Sequence, residues 1–191
     1  MSSWESKIST TDRFNNIGMI ARWQPVHLGH ASVLHALCDR ASSALIGIGS
    51  SNKHDFRNPF RLEEITDMIR LVSGTQRNYE LIPVPDLDDG PRWREMFIEL
   101  FGSLDLFVTA NPYVSSLLAG DYQIIHPIEF IPESERIAVN GSLVRREMAR
   151  GGRWQELVPE EVADYIAARH LDERFRQDFG LQTLALETIV K

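Results

Sequence analysis

Two histidines, His27 and His30, stand three residues apart with Gly29 between them in the stretch RWQPVHLGH (22–30). An apolar run, IGMIAR (17–22), precedes them and reads as a strand buried on both faces. Apolar residues at helical spacing follow: Val33, Leu34, Leu37, Cys38 and Ala41. The pair therefore falls where a strand gives way to a helix, predicted over about 30–40. Backbone N–H groups at the start of a helix lack intrahelical partners and favour an anion. A histidine one turn further on aims its ring N–H at the same anion. Gly29, without a side chain, lets a phosphate or a flat ring approach the backbone. Such a set suits a nucleotide triphosphate, with polarisable donors where charge moves during phosphoryl chemistry. A metal would need at least one further good ligand, and no nearby Cys, His or Asp set supplies it. Taken singly, the pair also reads as two incidental surface histidines.

A second stretch, VNGSLVRREM (139–148), has similar chemistry. Ser142 is the expected N-cap of a helix over 141–151. Arg145 then lies in the first turn and points back past the helix start. A hydroxyl and a guanidinium at one helix N-terminus form a second phosphate cradle. By itself this stretch also reads as a capped helix with a surface arginine.

The elements that must position these groups alternate. Strands are expected over 17–22, 43–51, 79–87, 104–110 and 122–130, and helices over 30–40, 61–73, 91–101, 111–120, 141–151 and 159–175. The last stretch, GLQTLALETIV, is a weaker helix or an arm. Leu62, Ile65, Met68, Ile69 and Val72 form the inward face of the second helix. Pro83 and Pro85 put the third strand at an edge or end it there. Five strand–helix alternations mean an α/β fold: a Rossmann-like doubly wound parallel sheet of about five strands, helices on both faces and extra C-terminal helices. Such sheets bind ligands beyond the carboxyl ends of their strands. Those places hold residues 22–30, 50–58, 86–93 and 109–112.

The composition sets bounds. With 191 residues, 43% hydrophobic and 25% charged, the chain suits one domain with a sizeable core. We divide it into a flexible tail (1–16), a main domain (17–170) and a C-terminal helical extension (171–191). The formal net charge of −7 disfavours nucleic acid as a partner. No apolar run approaches the ~20 residues that span a bilayer, and the N-terminus carries no apolar signal core. The single cysteine, Cys38, has no internal partner and lies on an apolar helix face, where burial is expected. A cytoplasmic protein fits.

RWQPVHLGH resembles the H-x-G-H signature of the nucleotidyltransferase superfamily, and NGSLVR (140–145) resembles its second signature, I-S-S/G-T-x-x-R. The pattern is most similar to the archaeal-type nicotinamide mononucleotide adenylyltransferases, over about 18–166. IGIGSS, NPF, IPVPDLDDGPRW, the NP after the fourth strand, and RWQELVPEEV are collinear with it. Four departures stand out. Ala21 replaces a glycine, and Asn140 and Ser142 replace serine and threonine. Glu63-Glu64-Ile65 stands where the family commonly has G-E-R, and the loop 52–58 is about one residue shorter. The resemblance implies that ATP and the mononucleotide give NAD and pyrophosphate. By the same resemblance His27, His30 and Arg145 are catalytic, and Arg22, Gly29, Asn140 and Ser142 bind ATP. Trp93 stacks on the pyridine, with Asp86 and Asn111 beside the second substrate. Mg2+ is held mainly through the ATP phosphates, with no protein ligand named. Lys53, His54 and Arg57 are further cations of the loop. Family members are commonly homo-oligomers, for which the extension after Leu171 offers a surface. Two other readings stay open: a nucleotidyltransferase for a different phosphorylated acceptor, and a non-catalytic nucleotide-binding paralogue. A class I aminoacyl-tRNA synthetase shares an H-x-G-H-type motif, but this chain is too short, too acidic and lacks a lysine-rich second signature.

Overall fold

The computed structural model describes residue 9 and residues 11–189. Most of the tail expected over 1–16 lies outside the described residues. Its last part does not: strand β1 (Phe14–Ala21) begins three residues before Ile17. β2 (Ala41–Gly49) and β3 (Tyr79–Val84) lie to one side of β1, and β4 (Leu106–Val108) and β5 (Ile124–Ile125) to the other. Every pairing is parallel, and the order is β3-β2-β1-β4-β5. The first strand made is therefore the central one. Pro83 sits in β3, an edge strand, where a missing N–H costs no ladder bond on the open side.

Helices cover both faces. α1 (Leu28–Arg40) and α2 (Leu62–Ser73) share one core with Ile17, Met19, Ile46 and Ile48 of the sheet. Val33, Leu34, Leu37 and Cys38 of α1 are buried as expected, whereas Ala41, expected on the same face, is the first residue of β2. α6 (Gly141–Arg150), α7 (Glu160–Ala168) and α8 (Leu171–Phe175) add Val144, Met148, Val162, Ile166 and Phe175 to the same core. On the opposite face, α3 (Gly90–Phe101) and α4 (Pro112–Leu118) bury Trp93, Phe97, Phe101, Val114 and Leu118 against Ile20 and Phe107. α5 (Pro127–Phe130) and α9 (Leu181–Ile189) complete the set.

Two further expectations are corrected. The fifth strand has two residues, because Pro127 opens a short helix where a strand over 122–130 was expected. The helix expected over 159–175 is two helices, broken at Arg169–His170, where His170 has φ 54°. Beyond Phe175 the chain continues through a π turn (Arg176–Gly180) into α9, and this arm packs against α6.

Candidate active site

β1 ends at Ala21, and the chain turns at once into α1. Trp23 makes the turn with φ 57°, a left-handed conformation that a bulky residue adopts only when its surroundings fix it. Here the indole is fully buried and its Nε1–H donates to the Gly47 carbonyl at 2.8 Å. Gln24 is buried as well. Its carboxamide donates to the Phe60 carbonyl at 3.0 Å and accepts from the Phe60 N–H at 2.9 Å. That two-bond clamp ties the RWQP turn to the NPF stretch before α2 and gives NPF its structural purpose.

His27 is the N-cap of α1, so the helix begins before His30. The His27 Nδ1 accepts the His30 backbone N–H at 3.2 Å. The two imidazoles lie face to face, with centroids 3.6 Å apart and planes 18° from parallel. Trp23 backs the His30 ring at 4.5 Å. Burial lowers the His27 pKa to about 4, helped by the Arg145 charge. Burial, then His27, pushes His30 well below the ordinary histidine value, against an opposing Pro25 carbonyl. Both rings are therefore neutral at pH 7 in the free protein.

α6 supplies the second cradle. Its N-cap is Asn140, whose side chain accepts from the Leu143 N–H at 2.9 Å, and not Ser142 as expected. Asparagine caps as well as serine, and starting the helix at Gly141 leaves the Ser142 hydroxyl to accept from Arg145 Nη2 at 3.2 Å. Arg145 Nη1 donates to the Gln24 carbonyl. Two of its five N–H groups are thereby accounted for, and the buried guanidinium is fixed beside the His27 loop. Burial and the neighbouring Arg22 lower its pKa to about 10, which still leaves it charged at pH 7.

The two glycines work by close approach. A Cβ on Gly29 would stand 3.2 Å from the carbonyls of both Ile137 and Val139. One on Gly141 would stand 2.9 Å from the Gln24 carbonyl. Gly29 thus makes room for the 137–139 segment of the protein itself, a use the sequence did not suggest.

All ten residues named from the sequence line one cavity of about 1230 Å3: Arg22, His27, Gly29, His30, Asp86, Trp93, Asn111, Asn140, Ser142 and Arg145. It opens at the carboxyl ends of the strands, where β1 and β4 part. Trp93 is both wall and core: it is buried and stacks on Phe97 at 5.1 Å. Asn111 caps α4, accepting from Tyr113 and Val114 N–H groups. The Asp86 main chain exchanges two 2.9 Å bonds with the Asn52 side chain, joining the ends of β3 and β2. Lys53, His54 and Arg57 are not among the cavity's lining residues. Lys53 pairs with Asp88, His54 meets Phe179 edge-on, and Arg57 lies over Phe56.

The sequence reading missed the wall formed by 127–139. Pro127, Ile128, Ile131 and Arg136 line the cavity, and Arg136 Nε donates to the Ile131 carbonyl. This segment, PIEFIPESERIAV, has no regular apolar period and a single basic residue, Arg136, so no sequence signal marks it as a wall. Trp23, Ser50 and Asp88 all have positive φ and all line the cavity, a concentration of backbone strain at one place. Among the described residues no three His, Cys, Asp or Glu side chains gather as a metal site. No helix among them is long and apolar enough to cross a membrane.

Comparison with known proteins adds to this geometry. No family model matches the chain. It is 32% identical over 161 residues to the nicotinamide-nucleotide adenylyltransferase of Methanocorpusculum labreanum, spanning 83% of this chain and 94% of that one. It is 35% identical over 150 residues to the enzyme of the same name from Methanolobus tindarius, 77% of this chain and 84% of that one. Among solved structures, a bifunctional NMN adenylyltransferase/ADP ribose pyrophosphatase from Francisella tularensis, complexed with AMP and a manganese ion, superposes with a TM-score of 0.65 at 15% identity. That match covers 91% of this chain but 56% of the bifunctional protein, and it speaks to the fold.

Proposed function

The chain belongs to the nicotinamide-nucleotide adenylyltransferase family, and we propose that its reaction, ATP plus nicotinamide mononucleotide giving NAD and pyrophosphate, runs in the cavity just described. The observation that carries this reading is the convergence of ten residues, from three separate strand ends and one helix start, on a single space. At about 1230 Å3 the cavity exceeds the usual single-ligand range of ~300–1,000 Å3 and suits two substrates at once.

The chemistry is an in-line displacement. An oxygen of the mononucleotide phosphate forms a bond to the α-phosphorus of ATP. The bond from that phosphorus to the β-phosphate's bridging oxygen breaks, and its electron pair leaves with pyrophosphate. No covalent protein intermediate is needed, so the residues contribute position and charge. His27 and His30 donate to triphosphate oxygens from the start of α1. Arg145, held by Ser142 and Gln24, and Arg22 neutralise the pyrophosphate as it departs. Asn140 and Gly29 shape the backbone around it. Trp93 presents an electron-rich face to the cationic pyridine, with Asp86 and Asn111 at the ribose or carboxamide. Asp86, Asp88 and Asp89 share this stretch of wall, and its acidic character favours a neutral carboxamide over a carboxylate. Asp88 is engaged by Lys53 and Asp89 caps α3, so neither carboxylate of this stretch is free to ligate a metal. Mg2+ would be held mainly through the triphosphate oxygens and would offset their charge.

Pyrophosphate release tests the reading directly. ATP and Mg2+ are supplied with nicotinamide mononucleotide, its acid form, and other phosphorylated acceptors in parallel. Release is expected with the pyridine mononucleotides, faster with the amide. Binding of ATP without release from either would move the function to another acceptor or to a sensor.

A further inference from the structure

The two stacked imidazoles are not equivalent. The His27 Nδ1 accepts a hydrogen bond from the His30 main-chain N–H. A peptide N–H only donates, so that nitrogen carries a lone pair and no proton. The ring's one proton must sit on Nε2. A second proton on His27 would break the helix cap and set two donors against each other. His30 has no such tie. Its Nδ1 is buried without a hydrogen-bond partner, a costly condition that points to a functional role for the ring.

We propose, resting on the reading of this cavity as a triphosphate site, that the pair divides its work: His27 remains a neutral Nε2–H donor throughout, locked by the peptide of its own helix, while His30 takes up one proton from solvent as the triphosphate binds. The proton returns to solvent after pyrophosphate leaves. Two neighbouring rings at 3.6 Å do not both carry charge easily, and the cap decides which one stays neutral.

The surroundings agree. The groups bearing on the pair are Arg145 from α6 on His27, and His27 together with the Pro25 carbonyl on His30. Behind Arg145 stand Arg22 from the end of β1 and the Arg57 and Asp55 pair from the loop before α2. Trp23 covers the His30 ring with an uncharged face. None of these brings a carboxylate onto either imidazole, so in the free protein burial keeps both neutral. A polyanion entering the cavity reverses that balance for whichever ring is able to accept a proton. Only His30 is.

Calorimetric titration of ATP with Mg2+ into the full chain at pH 7.5, in buffers of differing ionisation enthalpy, measures the proton uptake. About one proton per ATP is expected, since histidine is the side chain that titrates in this range. His30→Asn should reduce uptake to near zero, and His27→Asn should leave it in place. Uptake that persists in His30→Asn, or disappears in His27→Asn, would overturn the assignment. Nitrogen-detected spectra of the histidine-labelled wild type give a second test that needs no variant. His27 should show the Nε2–H tautomer with and without ATP and Mg2+, and His30 should change to the doubly protonated form only with them. A doubly protonated His27 refutes the lock. Absence of any ATP binding instead defeats the triphosphate reading, and the His30 half of the proposal with it.

Discussion

Replacing Gly141 by alanine puts the proposed phosphate cradle under a defined load. The added Cβ would lie 2.9 Å from the Gln24 carbonyl oxygen and 3.1 Å from Arg145 Nη1, where ordinary contact begins at 3.4 Å. The first turn of α6 and the Gln24 turn must therefore part by about 0.5 Å, the difference between 3.4 and 2.9 Å. Those are the two pieces that Arg145 joins, one by its own backbone and one through its bond to Gln24. Overpacking of this kind costs about 1–3 kcal/mol. Alanine recovers up to about 1 kcal/mol through helix propensity, so the net loss of stability is small. The functional loss is larger. A misplacement of ~1 Å costs on the order of 100-fold in rate, so half of that predicts a fall in kcat/KM of about tenfold. The assay is pyrophosphate release over a range of ATP concentrations, with urea unfolding on the same sample. Wild-type kcat/KM at unchanged stability would show that the spacing of α6 and the His27 turn does not set the chemistry, and the reasoning would fail.

Three further outcomes follow from the same contacts. Below pH 6.5 unfolded His27 binds a proton that the folded ring refuses until about pH 4, so stability is fully present above pH 6.5 and declines as pH falls toward 4. At ~1.4 kcal/mol per tenfold this amounts to roughly 2.5 kcal/mol between pH 7 and 4.5; His27→Asn should flatten the urea-midpoint profile by that amount, and parallel profiles would contradict it. Trp93→Leu fills the core but removes the aromatic face, so KM for the mononucleotide should rise about 3- to 30-fold with the KM for ATP unchanged, and a selective rise in the ATP KM would remove Trp93 from the pyridine site. Arg174 grips both oxygens of Glu64, at 2.6 and 2.7 Å, and the Pro59 carbonyl at 3.1 Å; Arg174→Met should cost about 1.5–3 kcal/mol in urea unfolding, and no measurable cost would make that contact incidental.

Much of this architecture is legible in the sequence because its signals are local. Apolar runs such as IGMIA and SALIGIG mark parallel strands, and Ile65, Met68, Ile69 and Val72 mark the buried side of α2. The site residues follow strand ends, which the topology brings together at one edge of the sheet. What escaped depends on partners distant in the chain. Nothing near Gln24 says that it clamps Phe60, and nothing near Gly29 says that the carbonyls of Ile137 and Val139 press on it. The apolar run over 122–130 suggests a strand reaching into the 127–139 wall, but Pro127 opens a helical turn and ends the strand at Ile125. Asn140 and Ser142 are both good caps two positions apart, and only the path of the preceding chain decides between them. The Glu64 position, where the family commonly carries an arginine shortly after, has a guanidinium from the far end of the chain, Arg174.

That contact has a consequence for how the protein comes into being. Every lining residue of the cavity has been synthesised once Arg145 has been added. The braces have not. Arg174 reaches back to Glu64 and Pro59, Arg176 reaches to the Met148 carbonyl at the end of α6, and the arm through α9 lies along α6. A nascent chain thus holds the whole vocabulary of its site well before it can hold the pieces in register. Loss of the last few turns, by premature termination or by a protease trimming from the carboxyl end, would leave a chain that still carries every signature residue and no longer spaces them for turnover.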